Sequence, residues 1–157
     1  MRPTLKRFTG VFVVLVLMCT AGKAWAWFGM GKFTEVKPEN GVLALPLKDI
    51  SDGKAHYYTA TSDKGISVKF FVVKSHDGVI RAAVDACDVC YRSGKGYVQE
   101  DGVMVCTNCG MRFATDRINE VKGGCNPAPL EREIAGDKLL ISMAQINANA
   151  WLCEFKK

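Results

Sequence analysis

Two Cys-x-x-Cys pairs, Cys87/Cys90 and Cys106/Cys109, are separated by fifteen residues, and Cys125 follows after fifteen more. Two residues between cysteines let both sulfurs turn to one side of a tight knuckle. Two such knuckles can close four thiolates around one tetrahedral centre. The pairs share a local pattern, Val84-x-x-Cys87-x-x-Cys90 and Val103-x-x-Cys106-x-x-Cys109, which reads as an internal pseudo-repeat. Soft thiolate donors suit zinc, iron, copper or an iron-sulfur cluster, so the spacing points to a metal without naming it. Gly110 stands directly after the second pair, where a knuckle needs a residue tolerant of positive φ. Tyr91 holds the matching place after the first.

Cys87, Cys90, Cys106 and Cys109 are the leading ligand candidates and Cys125 the fifth: an extra ligand, a replacement for one of the four, or a packing thiol. Cys153 alternates with Trp151 and Phe155 and reads as a buried core thiol. Asp85 and Asp88 flank the first knuckle as turn-ordering carboxylates, outer-shell acceptors or oxygen ligands. Met104 and Met111 offer thioethers to copper, but lone methionines ordinarily pack in cores. His76 reads as a solvated turn residue and His56 as a strand residue that packs.

The rivals to metal binding are structural disulfides and a thiol-disulfide oxidoreductase. Short C-x-x-C loops constrain little of the unfolded chain, which weakens the first. Neither pair precedes a helical pattern, which weakens the second. No Ser-His-Asp set, phosphate-binding glycine loop or paired-carboxylate cleft supports a hydrolase or phosphotransferase.

The compartment decides how much weight disulfides deserve. Arg2, Lys6 and Arg7 precede an apolar run, and Ala24-Trp25-Ala26 ends it with small residues at −3 and −1, so residues 1–26 read as a secretory signal peptide. The apolar run is shorter than the ~20 residues that span a bilayer, so membrane contact is expected only if the segment is retained. The expected location is exported, periplasmic or extracytoplasmic, where cysteines pair more readily. Arg2 and Arg7 are not adjacent, so the signal is not of the twin-arginine type. Passage as an unfolded chain would place metal loading outside. Residues 1–26 hold four of the 21 Lys and Arg and none of the 16 Asp and Glu, so the remainder carries a formal charge of only +1. Without a basic stripe, a nucleic-acid partner is not expected.

Residues 27–40 show no periodicity and read as a flexible lead-in to a single β-rich cysteine domain over 41–157. Within it, 41–47 and 55–61 read as strands, and 66–74 with 79–84 form a hairpin across His76-Asp77-Gly78. Further strands are expected at 97–99 and 103–105, helical turns over 116–121, a hairpin of 130–134 with 138–142, a short helix from Ser142 with Gln145 placed as in a capping box, and a final strand over 151–155. The class is mainly β, a small α+β domain. It is expected to be a hairpin-built sheet or small barrel that carries the two-knuckle site.

The segments Ile80-Arg81-Ala82-Ala83-Val84-Asp85-Ala86-Cys87-Asp88-Val89-Cys90-Tyr91, Val105-Cys106-Thr107-Asn108-Cys109-Gly110-Met111-Arg112-Phe113 and Lys122-Gly123-Gly124-Cys125-Asn126-Pro127-Ala128-Pro129-Leu130 resemble the FtrD-like family of bacterial membrane iron-sulfur proteins. The resemblance implies an iron-sulfur or related metal site, with Cys87, Cys90, Cys106, Cys109 and Cys125 carried over as ligand positions. It also implies partners among envelope iron-uptake or redox proteins. The function expected is an exported metal-binding protein acting in electron transfer or iron acquisition. The alternatives are a zinc-ribbon-like structural domain that binds a partner protein and, behind it, the thiol-disulfide oxidoreductase.

Overall fold

A computed structural model describes residues 31–154. The expected signal peptide, the first residues of the lead-in and Phe155 lie outside the described residues.

The fold is built around one strand. β4 (Ser67–Lys74) carries Val68, Phe70 and Val72 on one face and Phe71 and Val73 on the other, all fully buried. A strand of β-branched and aromatic residues with two apolar faces needs a cover on each side. Each fully buried side chain of this kind contributes about 1.5–3 kcal/mol. Its partners are β3 (His56–Thr61) and β5 (Ile80–Val84), both antiparallel, and a two-residue strand β1 (Thr34–Glu35) adds to β3 in parallel. The resulting four-stranded sheet has the order β1-β3-β4-β5.

One cover is a three-stranded sheet of β2 (Val42–Pro46), β10 (Lys138–Ser142) and β9 (Glu133–Ala135), with β10 in the middle. Its Leu43, Leu45, Leu139 and Ile141 meet Phe70, Val72 and Val84 in the larger core, which helix α1 (Met143–Asn149) closes with Met143 and Ile146. The other cover is the sheet β6 (Tyr97–Glu100), β7 (Val103–Cys106) and β8 (Arg112–Ala114). Here Phe71, Val73 and Ala83 pack with Tyr97, Met104, Ile118, Cys87 and Cys106. The four-stranded sheet is therefore the middle layer, and none of the three sheets closes into a barrel.

Several expectations change. The ordered chain starts before Gly41: Val36 donates to the Thr59 carbonyl, and the Lys32 ammonium reaches Asp85 and the Tyr97 carbonyl. The final strand is instead a 3-10 helix, Ala150–Cys153, continuing α1. Ile146, Ala150 and Cys153, spaced four and three, are all buried, so the period is helical and Trp151 turns outward. Residues 130–132 stay out of the β9–β10 hairpin because Leu130 donates to Ala82 of β5. Ser142 caps α1 by accepting from the Gln145 N–H, but the Gln145 side chain accepts from Glu131 rather than closing a capping box. Over 116–121 only the 3-10 turn Thr115–Arg117 is helical, and Asn119 then adopts a left-handed φ of 71°.

Candidate metal centre

Asp85, immediately after β5, places the first knuckle. Its carboxylate, almost fully buried, accepts the Tyr97 N–H at 2.7 Å through one oxygen and the Lys32 ammonium at 3.1 Å through the other. It thus ties the end of β5 to the start of β6. Of the roles open to it, Asp85 takes that of ordering the turn. Burial pushes its pKa up, and the Lys32 charge opposes that shift. Beyond it the Tyr91 N–H closes on the Cys87 carbonyl, and the Cys90 N–H points at the Cys87 sulfur at 3.2 Å. Cys90 then precedes a three-residue 3-10 turn, Tyr91–Ser93, with Gly94 in the left-handed region. Neither pair opens an α-helix.

The second knuckle is the turn between β7 and β8. The Gly110 N–H donates to the Cys106 carbonyl at 2.8 Å with φ at 75°, the backbone geometry for which a glycine was expected there. Met111, across the turn, accepts the Cys106 N–H. Thr107 fastens this turn to the first loop by donating its N–H and its hydroxyl to the Gly96 carbonyl.

Cys125 comes from a third segment. Residues just after it run antiparallel to β5: Ala128 accepts from Val84 and donates to Ala86, and Leu130 donates to Ala82. Asn119 locks this pairing from the far side, accepting the Ala82 N–H and donating to the carbonyls of Ala82 and Leu130. Finally the Tyr97 hydroxyl donates to the Cys125 carbonyl at 2.6 Å.

These three segments bring five sulfurs together. Those of Cys87, Cys90 and Cys125 lie within 4.8 Å of one another, as do those of Cys90, Cys106 and Cys109, and the Cys109 and Cys125 sulfurs are 3.9 Å apart. Cys90 is the hub, with all four other sulfurs within 4.8 Å. Cys125, ranked behind the four knuckle cysteines on spacing, stands in a triad on the same footing as Cys87. Cys153 belongs to neither triad. It is buried in the larger core, where its sulfur accepts the Lys69 N–H at 3.4 Å.

The thiols are graded from inside to outside. Cys87 and Cys106 are buried, Cys90 and Cys125 half-buried and Cys109 exposed. Burial pushes the Cys106 thiol up to about 11. The Met111 N–H and then the neighbouring Cys106 thiol hold Cys109 below the ordinary thiol value. A bound cation overrides such differences by taking its thiols as thiolates. The donor set is all sulfur and every one of these cysteines is unpaired, so the residues fit a thiophilic ion or cluster and not a hard oxygen-seeking cation.

The remaining candidates fall away from the sulfurs. His56 pairs with Asp52 at 2.7 Å, His76 lies under Gly102, and Met104 is core. Met111 and Val89 are exposed beside the knuckles. Tyr97 and Asn119 also hold the site in place, and the cysteine spacing marks neither. Tyr97 was within reach, because the Glu100-Asp101-Gly102 turn fixes it opposite Cys106 in the β6–β7 hairpin. Nothing local marks Asn119, whose partners lie 37 and 11 residues away.

Residues 50–152 match the family described as membrane iron-sulfur containing protein FtrD-like. No curated protein matches the chain in sequence. Among solved structures, the quaternary ammonium Rieske monooxygenase CntA in complex with an inhibitor is similar at a TM-score of 0.45 and 18% identity. That likeness covers 62% of this chain and 30% of that one, and at such a score it fixes neither fold nor chemistry. Among the described residues no helix is long and apolar enough to cross a membrane.

Proposed function

The chain belongs to the FtrD-like family of membrane iron-sulfur containing proteins, and from that membership we propose that it is an exported metal-thiolate protein of the bacterial envelope, serving electron transfer or iron acquisition. The observation that carries the proposal is the convergence of four unpaired cysteines on the sulfur of a fifth, Cys90, the five coming from three segments. When bound, an iron centre in such a sulfur cage supplies a reversible one-electron couple tuned by hydrogen bonds to the sulfurs and by burial.

The protein's own contribution is placement. Cys87 and Cys106 anchor the cage from inside a packed cluster that contains Phe71, Tyr97 and Met104. The Cys90 N–H directed at the Cys87 sulfur stabilises negative charge there. Cys109 faces solvent, which makes it the edge at which an electron or an ion passes to a partner. The exposed apolar side chains of Val89 and Met111 flank the cage.

The structural zinc-ribbon reading differs in what metal removal does. Cys87 and Cys106 share a buried cluster with Phe71, Val73 and Ile118, which supports a fold that outlasts removal of the ion, whereas unfolding on metal removal would favour the zinc-ribbon reading.

The test is to isolate the protein anaerobically from the periplasmic fraction and measure iron, zinc, copper and acid-labile sulfide together with the visible spectrum. Iron with a reversible redox spectrum supports the proposal. Colourless protein with stoichiometric zinc removes electron transfer, and metal-free protein with its cysteines paired removes the site.

A further inference from the structure

Two of the five sulfurs stand apart from the rest in their setting. Cys109 is exposed and Cys125 half-buried, and their sulfurs are 3.9 Å apart although the residues come from different segments. Neither lies within a strand or helix. Cys109 precedes Gly110, and Cys125 follows Gly123 and Gly124. All three glycines have positive φ, and a Cβ at Gly110 or Gly124 would meet nothing within 4 Å. Backbone of this kind rotates at little cost. A disulfide bond is about 2.05 Å long, so the two sulfurs need to close by roughly 2 Å, a movement these loops can supply.

The other sulfurs of the cage are less available. Cys87 and Cys106 are buried. Cys106 is also fixed in the β6–β7 ladder opposite Tyr97, its N–H donating to the Met111 carbonyl and its own carbonyl accepting from Gly110. Cys90 is tied at both ends, by its N–H to the Cys87 sulfur and by its carbonyl to the N–H and hydroxyl of Ser93.

We infer that Cys109 and Cys125 form a reversible disulfide in the metal-free protein, and that this bond gates loading of the cage. The inference rests on the metal-thiolate reading above, in which the chain acquires its metal in an oxidising compartment. There the most accessible thiol of an empty cage needs a state that protects it from irreversible oxidation and from joining another chain. The oxidant is a small-molecule or protein disulfide. The Cys109 thiolate attacks one of its sulfurs, forming a mixed disulfide and releasing one thiolate. The Cys125 thiolate then attacks the Cys109 sulfur and displaces the second. Two cysteine thiols are oxidised, the oxidant is reduced to two thiols, and these take up the two protons that the cysteines lose. A reducing dithiol reverses the sequence and frees both ligands.

One such bond leaves Cys87, Cys90 and Cys106 as free thiols, so this state differs from a chain stapled throughout. The bond takes Cys125 from one triad and Cys109 from the other. Three sulfurs remain, one short of the four that a tetrahedral thiolate ion or an all-cysteine cluster takes. Metal capture then depends on a supply of reductant.

The experiment treats the reduced, metal-free full chain with oxidised glutathione, alkylates the remaining thiols in denaturant and maps the linkage by peptide mass spectrometry. The expected product has one bond, Cys109 to Cys125, with Cys87, Cys90, Cys106 and Cys153 alkylated. Co(II) added to the reduced form should give thiolate-to-cobalt absorption. The oxidised form should lose that absorption, and reduction followed by desalting should restore it. Cys125→Ser should stop at the glutathione adduct on Cys109, and Cys153→Ser should oxidise as the parent does. A bond within either knuckle, a bond to Cys90, or a glutathione adduct that persists on Cys109 of the unsubstituted protein overturns the disulfide. Undiminished cobalt absorption in the oxidised form overturns the gate. Reduced protein that binds no cobalt overturns the metal-thiolate reading and the gate with it, while the linkage map still decides the disulfide.

Discussion

The Tyr97 hydroxyl donates to the Cys125 carbonyl at 2.6 Å, and through this bond the sheet that ends in one knuckle holds the segment that brings the fifth cysteine. Tyr97 is buried against Phe71 and Phe113, so its hydroxyl has little access to water as a substitute partner. Tyr97→Phe keeps the ring and removes the bond. The expected cost is about 1–3 kcal/mol, seen in urea unfolding, with faster loss of bound metal to a chelator. Unchanged stability and unchanged chelator kinetics would show that Cys125 is held by other means.

Asp85 links the N-terminal segment, β5 and β6. Asp85→Ala strands the buried Tyr97 N–H and is expected to cost about 1–3 kcal/mol. The pH dependence comes from the raised carboxyl: its folded pKa lies above the unfolded value, so the protonated form is favoured in the folded protein. Its contribution is complete below the unfolded pKa and is lost as pH rises through the folded one. Chemical denaturation from pH 4 upward should therefore show a decline in stability that is absent in Asp85→Ala. Parallel curves would remove Asp85 as the source.

Gly96 tests the same junction sterically. It has φ at 68°, and a Cβ there would run into the Asp85 carboxylate. Gly96→Ala should destabilise by more than the ~1 kcal/mol of the backbone effect alone. A melting temperature within a degree of the parent would contradict the close approach.

Thiol reactivity should track the grading of the cage. In metal-free reduced protein Cys109 is exposed and its pKa is held down first by the Met111 N–H, whereas burial pushes Cys106 and Cys153 up. Alkylation at pH 7.5 and subsequent peptide mapping should find Cys109 modified first and Cys153 among the last. Raising the pH should narrow the gap as the higher thiols ionise. Early labelling of Cys153 would mean that the 3-10 turn opens readily.

Much of the scaffold was legible because local pattern and tertiary need agreed. The β-rich run from Val68 to Val73, the glycine turns beside it and the strands leading toward Cys90 and into Cys106 are all present in the fold. The alternation of Trp151 and Cys153 misled because a 3-10 turn of four residues leaves too few positions to distinguish a period of two from one near three and a half. β1 was hidden for a different reason. Thr34 and Glu35 are exposed and carry no strand pattern, and they are ordered by pairing with β3 and by Lys32 reaching Asp85. At the site, spacing supplied all five cysteines but not their relation. The equal footing of Cys125 depends on Asn119 and Ala128 pairing with β5, contacts that no local pattern encodes. Asn119→Ala, which removes three such bonds at a left-handed position, is expected to lower metal affinity without touching a ligand, measurable by competition with a chelator.

The central claim is that a metal is held by sulfur alone on this side of the protein. X-ray absorption at the edge of the metal found in the isolated protein tests it most directly. The account predicts a first shell of sulfur scatterers at about 2.3 Å that is lost when Cys90 and Cys109 are both replaced by serine. A first shell of nitrogen and oxygen only, or a sulfur shell unaffected by those replacements, would contradict it.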